Sequence, residues 1–376
     1  MIPVALIVGG GIGGLTAAVA LRQAGCVVQV LERTDEISTV GAGIMLQINA
    51  IRALDSIGVA EDITTVAVPI RSAKITSWSG RLIFKLESPD APVFGYGIHR
   101  ADLHGILLEH AGLENVRTGA RVANYRLDGD RVVAVLKSGE AVTGDLLVGA
   151  DGIHSTLRSS HLGDGPPRYA GYTCWRGLTA HAVPFEHGNA FEIWGAGKRF
   201  GGIYVDERLY WFAPVNATAG GMDEPGRVKG KLLELYEDWP QEVRATIAST
   251  HESAIIRNDI IDRPFTSDWG RGRMTLLGDA AHPMTPDVGQ GACQAIEDAV
   301  VLGRCVSQFN DPTYALRRYE ELRVPRTRRF VARSRLFGKV AQWESWTARC
   351  TRLVALRATP QFIVRRDLQR TFRFPG

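Results

Sequence analysis

Four groups of residues have types and spacings that could do chemistry. Gly9-Gly10-Gly11-Ile12-Gly13-Gly14 holds G-x-G-x-x-G at Gly9, Gly11 and Gly14, and Glu32 follows eighteen residues after Gly14. Glycines so placed allow a tight turn, a close backbone approach to a pyrophosphate, and close packing of helix on strand. An acid at that distance can accept hydrogen bonds from the ribose hydroxyls of an adenosine. The second group is Gly149-Ala150-Asp151-Gly152-Ile153-His154-Ser155-Thr156-Leu157-Arg158, and the third runs from Gly278-Asp279 through Pro286-Asp287-Val288-Gly289-Gln290-Gly291-Ala292-Cys293. The fourth pairs Lys198-Arg199-Phe200 with Leu209-Tyr210-Trp211. There Arg199 could hold an anion by a charge-assisted bond and Tyr210 could orient it or relay a proton. A surface arginine and a core tyrosine are the plain alternative.

The elements that must position these groups are legible around them. Val4-Ala5-Leu6-Ile7-Val8 is a continuous apolar run, the pattern of a strand buried in a parallel sheet. Leu15 to Ala24 reads as a small-residue helix stopped by Gly25, and Val27 to Leu31 is a second strand ending at Glu32 and Arg33. The helix start offers free N–H groups and its positive dipole end to phosphates. Strands are predicted again at 145–150 and 274–277, a helix at 100–110 after His99, and a helix from about Gln290 to Val306. Residues 70–97 alternate like antiparallel strands. Between 166 and 267, strands rich in Trp, Tyr and Phe predict a mostly antiparallel sheet with a helix at 228–249. Residues 312–350 and 360–371 read as basic helices.

The expected fold class is α/β: a Rossmann-like domain with an inserted, mostly antiparallel β-sheet domain and C-terminal helices. The dinucleotide domain takes residues 1–70, 98–165 and 268–310, the inserted domain 71–97 and 166–267, and the helical segment 311–376.

Composition narrows the function. At 376 residues, with 45% apolar and 22% charged residues, the chain is long enough for two domains. Net charge is +4, but residues 315–376 carry 16 Lys/Arg against 4 Asp/Glu, leaving −8 for the rest. Such a tail could suit nucleic acid or an anionic membrane. Its arginines fall in segments that also hold Trp, Phe and Leu, so a solvated helical face, or one docked on the acidic body, is expected instead. The five cysteines lack metal-ligand spacing, so no metal is expected, and their odd number fits a reducing compartment. The apolar start lacks a basic n-region, and no run of about 18 glycine-free, uncharged residues could span a bilayer. A cytoplasmic location is expected.

The three glycine-bearing stretches, in this order and at these separations, closely resemble the single-component FAD-dependent aromatic hydroxylases, the family of para-hydroxybenzoate hydroxylase. The second stretch matches the family's DG motif and the third its GD motif, and the similarity runs from residue 4 to about 335. The resemblance implies FAD held by Gly9, Gly11, Gly13, Gly14, Glu32 and Arg33 at its adenosine end, with Val122 giving a backbone contact to adenine. It implies Arg100, before Leu103, on the pyrophosphate, Gly43 and Ile44 beside the isoalloxazine, and Asp279 on a ribityl hydroxyl. Asp279 as a helix N-cap is the plainer reading. Pro286, Gly289, Gln290, Gly291 and Ala292 would turn backbone N–H groups toward flavin O2 and N1. Asp151 and Arg158 would contact FAD and the nicotinamide cofactor; equally, Asp151 caps a turn and pairs with Arg158. Where the family loop has a proline before Asn-Ala, this chain has Ile48.

The function so implied is an FAD-dependent monooxygenase. NADH or NADPH reduces FAD, O2 forms a C4a-hydroperoxyflavin, and one oxygen hydroxylates or epoxidises an electron-rich, aromatic or heteroaromatic small molecule. No second G-x-G-x-x-G exists for NAD(P)H, which fits transient docking. Lys198, Arg199 and Tyr210 with the GD stretch resemble bacterial urate hydroxylases, and the GD stretch also resembles zeaxanthin epoxidases. Trp175 and Trp194 are expected to pack the sheet and His282 to be structural. A two-electron flavin reductase, a non-catalytic flavin protein and a nucleic-acid binder are the alternatives.

Overall fold

A computed structural model describes residues 2–36, 42–87 and 93–374. Gly41, which opens the expected loop before Gly43, lies outside them. Five parallel strands form the base, in the order Met274–Leu276, Leu146–Gly149, Val4–Val8, Val27–Leu31, Val116–Arg117. Most of their side chains are buried, packed against helices and against an antiparallel sheet of Val122–Asp128, Arg131–Leu136 and Ala141–Gly144. The helices Ile12–Gln23 and Gly291–Gln308 pack on each other at unusually close range. A Cβ on Gly303 would lie 2.8 Å from the Ala20 Cβ, and one on Gly13 would lie 2.8 Å from a Leu277 methyl. Small residues in the helices' seam thus bring both N-termini, and the turns before them, to one end of the sheet.

A seven-stranded sheet roofs that end, ordered Ile256–Asp262, Arg168–Leu178, Leu209–Asn216, Arg199–Tyr204, Asn189–Trp194, Ser72–Ser77, Leu82–Glu87. It is antiparallel except where Ser72–Ser77 runs parallel to Asn189–Trp194. This is the α/β architecture with a mostly antiparallel insert that the sequence predicted. One face buries Trp175, Phe191, Phe200, Tyr204 and Trp211 against the helices Val228–Leu235 and Gln241–Ala248. The expected single helix at 228–249 is two, because Pro240 sits at the N-cap of the second. The other face carries Tyr172, Cys174, Arg176 and Leu178 beside Tyr210 and Phe212 and looks down on the parallel sheet.

Between the two layers, Gly43–Gln47, Gly95–His99 and Val68–Ile70 make a small antiparallel sheet. Gly95–Gly97 therefore pair with the Gly43 strand and not with the large sheet, where the inserted-domain boundaries had put them. The Ile48 N–H donates to the Phe94 carbonyl at 3.2 Å, a bond that proline could not make. The basic helix at 312–350 ends at Ala341, and Ser345 caps a new helix, Trp346–Ala358, followed by Gln361–Phe372. No helix among the described residues is long and apolar enough to cross a membrane.

Candidate active site

At the opening turn the glycines divide by role. Gly9 has φ +104°, and a Cβ on Gly14 would fall 1.9 Å from the Gly9 carbonyl oxygen. Both positions are closed by packing alone. Gly11 is different, with nothing within 4 Å of its missing Cβ. The helix that follows has no side-chain cap. An open cradle at an uncapped helix start fits a pyrophosphate. Glu32 is fixed beside it, accepting from Gly10 N at 2.7 Å and Thr34 N at 2.9 Å. Burial pushes its pKa up, but those N–H groups and Arg33 outweigh it and keep the carboxylate ionised. His104 Nε2 lies 2.7 Å from the Gly10 carbonyl, a brace from the Arg100–Ala111 helix that no motif announced. Val122 is buried two residues after Ala120, whose N–H donates to the Glu32 carbonyl.

The other end of the cleft holds groups that lack partners. Asp279 sits in the turn after Met274–Leu276 and accepts no hydrogen bond from the described residues. It caps no helix. Surrounding protein raises its pKa, while His282 and Arg100 pull it down. Arg100 is exposed to the cleft without a carboxylate partner among the described residues, and its charge is felt by both Asp279 and Tyr210. A Cβ on Gly291 would lie 3.8 Å from an Asp279 oxygen, which places the carboxylate beside the N-terminus of Gly291–Gln308. That helix too has no side-chain cap, so N–H groups at Gly291 and Ala292 face the cleft. Pro286–Val288 and Gly289, at φ +63°, turn the chain into it. Gly43 and Ile44 form the opposite wall, and a Cβ on Gly43 would lie 2.4 Å from the Tyr210 Cβ and 2.5 Å from its ring Cγ. These groups fit FAD: an unpaired acid for a ribityl hydroxyl, a free cation for the pyrophosphate, and backbone donors for the ring.

Neighbouring residues hold the turns in place. Asp151 accepts from Ser155 Oγ at 2.5 Å and Thr156 N at 2.7 Å and so closes the turn into Thr156–Leu162. The alternative Asp151–Arg158 pairing does not form, because Arg158 turns away from it. Buried Arg158 bonds Asp164 at 2.5 Å and the carbonyls of Ala280 and Ala281 at 3.0 and 2.8 Å, tying the DG helix to the GD turn. The Gln290 side chain faces away from the cleft, donating to Gln47 at 2.7 Å and accepting from Asn49 at 3.0 Å. His282 is fully buried with Nε2 2.6 Å from Asp298, the structural place expected of it. Asp298 also accepts from the Gly278 N–H at 3.0 Å and from Arg323 at 2.6 Å. Burial alone would raise the Asp298 pKa; His282 and Arg323 bring it down to about 2.

On the roof, the expectation that Arg199 holds substrate needs correction. Arg199 is 2% exposed and its charge is already matched by Glu192 at 2.8 Å and Asp287 at 2.7 Å, with Gln342 on Nε at 2.7 Å. The reason is its register: it faces the Pro286–Val288 turn, where Asp287 also accepts from Tyr172 at 2.5 Å. Lys198 points to the sheet's other face, donating to the Leu235 carbonyl over Tyr236 and Trp239. Trp175 and Trp194 are buried in packing, as expected. Tyr210 does reach the cleft. Its hydroxyl has no partner among the described residues, and burial pushes its pKa up to about 12. Beside it stands Arg176, which nothing in the sequence singled out. No carboxylate pairs with Arg176 among the described residues; its polar neighbours are the Cys174 thiol and the hydroxyls of Tyr210 and Tyr172, all uncharged near neutral pH. Alternation along Arg168–Leu178 puts Arg176 on the face of Cys174 and Tyr172, and only the strand pairing reveals that this face is Tyr210's.

With this geometry the chain belongs to the FAD-binding monooxygenase family: the family described as "FAD binding domain" matches residues 1–334. It is an FAD-dependent monooxygenase that acts on a small molecule. Aurachin C monooxygenase/isomerase of Stigmatella aurantiaca is 41% identical over 345 residues, 90% of each chain. The FAD-dependent urate hydroxylase of Klebsiella pneumoniae subsp. pneumoniae is 37% identical over 344 residues, 88% of each. The solved structure of Klebsiella pneumoniae HpxO complexed with FAD and uric acid superposes with a TM-score of 0.90 at 32% identity, covering 98% of this chain and 96% of that one.

Proposed function

We propose that the substrate is an electron-rich heteroaromatic small molecule bearing an ionisable oxygen, hydroxylated with NADH or NADPH as electron donor. The observation that carries this reading is Arg176, a cation with no carboxylate partner among the described residues, beside the Tyr210 hydroxyl, likewise unpartnered there, above Gly43. A largely enclosed guanidinium left without a counter-charge favours an anionic or enolate-like ligand. Urate, in the name of the hydroxylase relatives, is such a molecule.

FAD, when bound, supplies the electron relay from NAD(P)H and the activation of O2. The protein's residues do the rest. Arg176 balances charge on the substrate oxygen, and Tyr210, still protonated at neutral pH, donates a hydrogen bond that orients the ring. The N–H groups at Gly291 and Ala292, with the helix dipole behind them, stabilise negative charge on the reduced ring. Arg199 acts as a positioning residue, clamping the Pro286–Val288 turn under the sheet through Asp287. The large sheet above the cleft shields the site from water, which would otherwise release unproductive peroxide. Residues 1–70, 98–165 and 268–310 carry the cofactor on this reading, 71–97 and 166–267 roof the substrate, and 311–376 brace the two. Five free thiols support a reducing, cytoplasmic setting.

Screening phenols, purines and quinolones for stimulated NADH oxidation with coupled O2 uptake tests the proposal. Anionic ring compounds should stimulate, and Arg176→Met should raise their KM while sparing neutral analogues. Equal loss on neutral and anionic compounds would sink the role given to Arg176. NADH oxidation that proceeds anaerobically in proportion to product would sink hydroxylation itself.

A further inference from the structure

We propose that the last two helices dock the enzyme on an anionic phospholipid bilayer. Over residues 346–376 the chain has seven arginines and a single acid, Asp367. That acid is already paired with Arg333 at 2.5 Å. Within Gln361–Phe372 and the residue after it, Phe362, Arg366, Arg370 and Arg373 recur every three or four positions, forming one exposed stripe. None of the three arginines has a carboxylate partner among the described residues. The buried end of the helix, Thr371 and Phe372, is held to the body, with Arg52 donating to the Phe372 carbonyl at 2.9 Å. The stripe is therefore presented outward by a docked helix.

Two further observations point to the same ligand chemistry. A cavity of about 580 Å³ is lined by Arg326, Arg329, Arg370 and Arg373. Among the described residues only Arg326 of these is neutralised, by Glu297 at 2.6 Å, so the cavity favours a phosphate-bearing group. On the last two helices, large apolar side chains stand in solvent: Trp346 and Phe362 are each 70% exposed, Val354 66%. The helix Trp346–Ala358 also runs along the edge strand Leu82–Glu87, where Arg357 donates to the Leu82 carbonyl at 3.0 Å and Leu82 itself is exposed. A bilayer surface takes both kinds of group, apolar side chains into the acyl boundary and arginines onto headgroup phosphates. Nucleic acid would leave Val354 and Ile363 in water. A second copy placed symmetrically would set arginine against arginine.

The test uses the full-length, FAD-loaded enzyme and co-sedimentation with vesicles. Vesicles of mixed phosphatidylglycerol and phosphatidylcholine should bind it about tenfold more tightly than pure phosphatidylcholine, with the gain lost in high salt. Arg370→Glu with Arg373→Glu, and separately Trp346→Ser with Phe362→Ser, should each abolish most of that binding while FAD content stays unchanged. In the unaltered enzyme, acyl chains carrying bromine should quench part of the tryptophan fluorescence, a part that Trp346→Phe removes. Equal affinity for both vesicle types, absence of quenching, or loss through the arginine pair alone overturns the proposal, the last pointing to nucleic acid. Light scattering that finds a dimer, with the face protected in the vesicle-free enzyme, overturns it as well.

Discussion

The helix Gly291–Gln308 separates two sets of charged groups that the protein treats in opposite ways. Behind it, Glu297 and Asp298 are fully buried and every charge is met: Arg323 reaches both at 2.6 Å, and Arg326 meets Glu297 at 2.6 Å. In front of it, Asp279, Arg100, Arg176 and Tyr210 have no such partners among the described residues. Leaving a polar group unmatched in an enclosed place costs free energy. Where the chain satisfies a group itself, the group is scaffold; where it leaves the group open, a ligand is the missing partner. The same contrast holds for glycine, since the space at Gly14 is filled by the chain and that at Gly11 is left open.

The comparison breaks most visibly at Arg323. Arg323→Met removes the cation that two buried carboxylates share, leaving Glu297 with Arg326 and Asp298 with His282, and should cost about 3–5 kcal/mol of stability in urea unfolding; a loss below about 1 kcal/mol would show that the network is not the scaffold claimed. Next come the glycines. Gly14→Ala should destabilise even the apoprotein by about 1–3 kcal/mol through overpacking, whereas Gly11→Ala should leave apoprotein stability alone and weaken FAD. Equal effects of the two on unfolding would erase the distinction.

Acid stability tests the rear network further. The Asp298 pKa is lowered from 3.8 to about 2, so its contribution is present above pH 4 and is lost as pH falls toward 2. The stabilisation is about 2 kcal/mol, and Asp298→Asn should flatten that limb of the stability curve. In front of the helix, Asp279→Ala should leave the fold intact but weaken FAD by about 1–3 kcal/mol in a fluorescence titration. Undiminished affinity would remove Asp279 from the cofactor site. The smallest effect belongs to Tyr210→Phe, about 0.5–1.5 kcal/mol in kcat/KM with FAD affinity unchanged. Because the Tyr210 pKa lies near 12, its ionisation should leave the pH–rate profile of the unaltered enzyme flat up to about pH 10.

Residues 4–32 announced themselves because local spacing is enough to specify a strand, a turn and a helix start, and the GD and DG stretches were legible for the same reason. The docking of the basic helices was expected in outline, yet the partners of Arg323, Arg326 and Arg335 (Glu297, Asp298 and Asp262) lie 25 or more residues away and could not be named. Arg199 shows the limit most sharply. A strand pattern can say that a side chain alternates, but not which face meets the ligand, because the face is set by which strands pair and what packs above them. Pairing put Arg199 over Asp287 and gave the open position to Arg176. By itself, then, the sequence determined the fold class, the cofactor and the turns that cradle it, all consequences of short-range geometry. Only the tertiary structure decided which charges are spent inside the chain and which stay free for a ligand, since that depends on contacts between segments far apart in sequence.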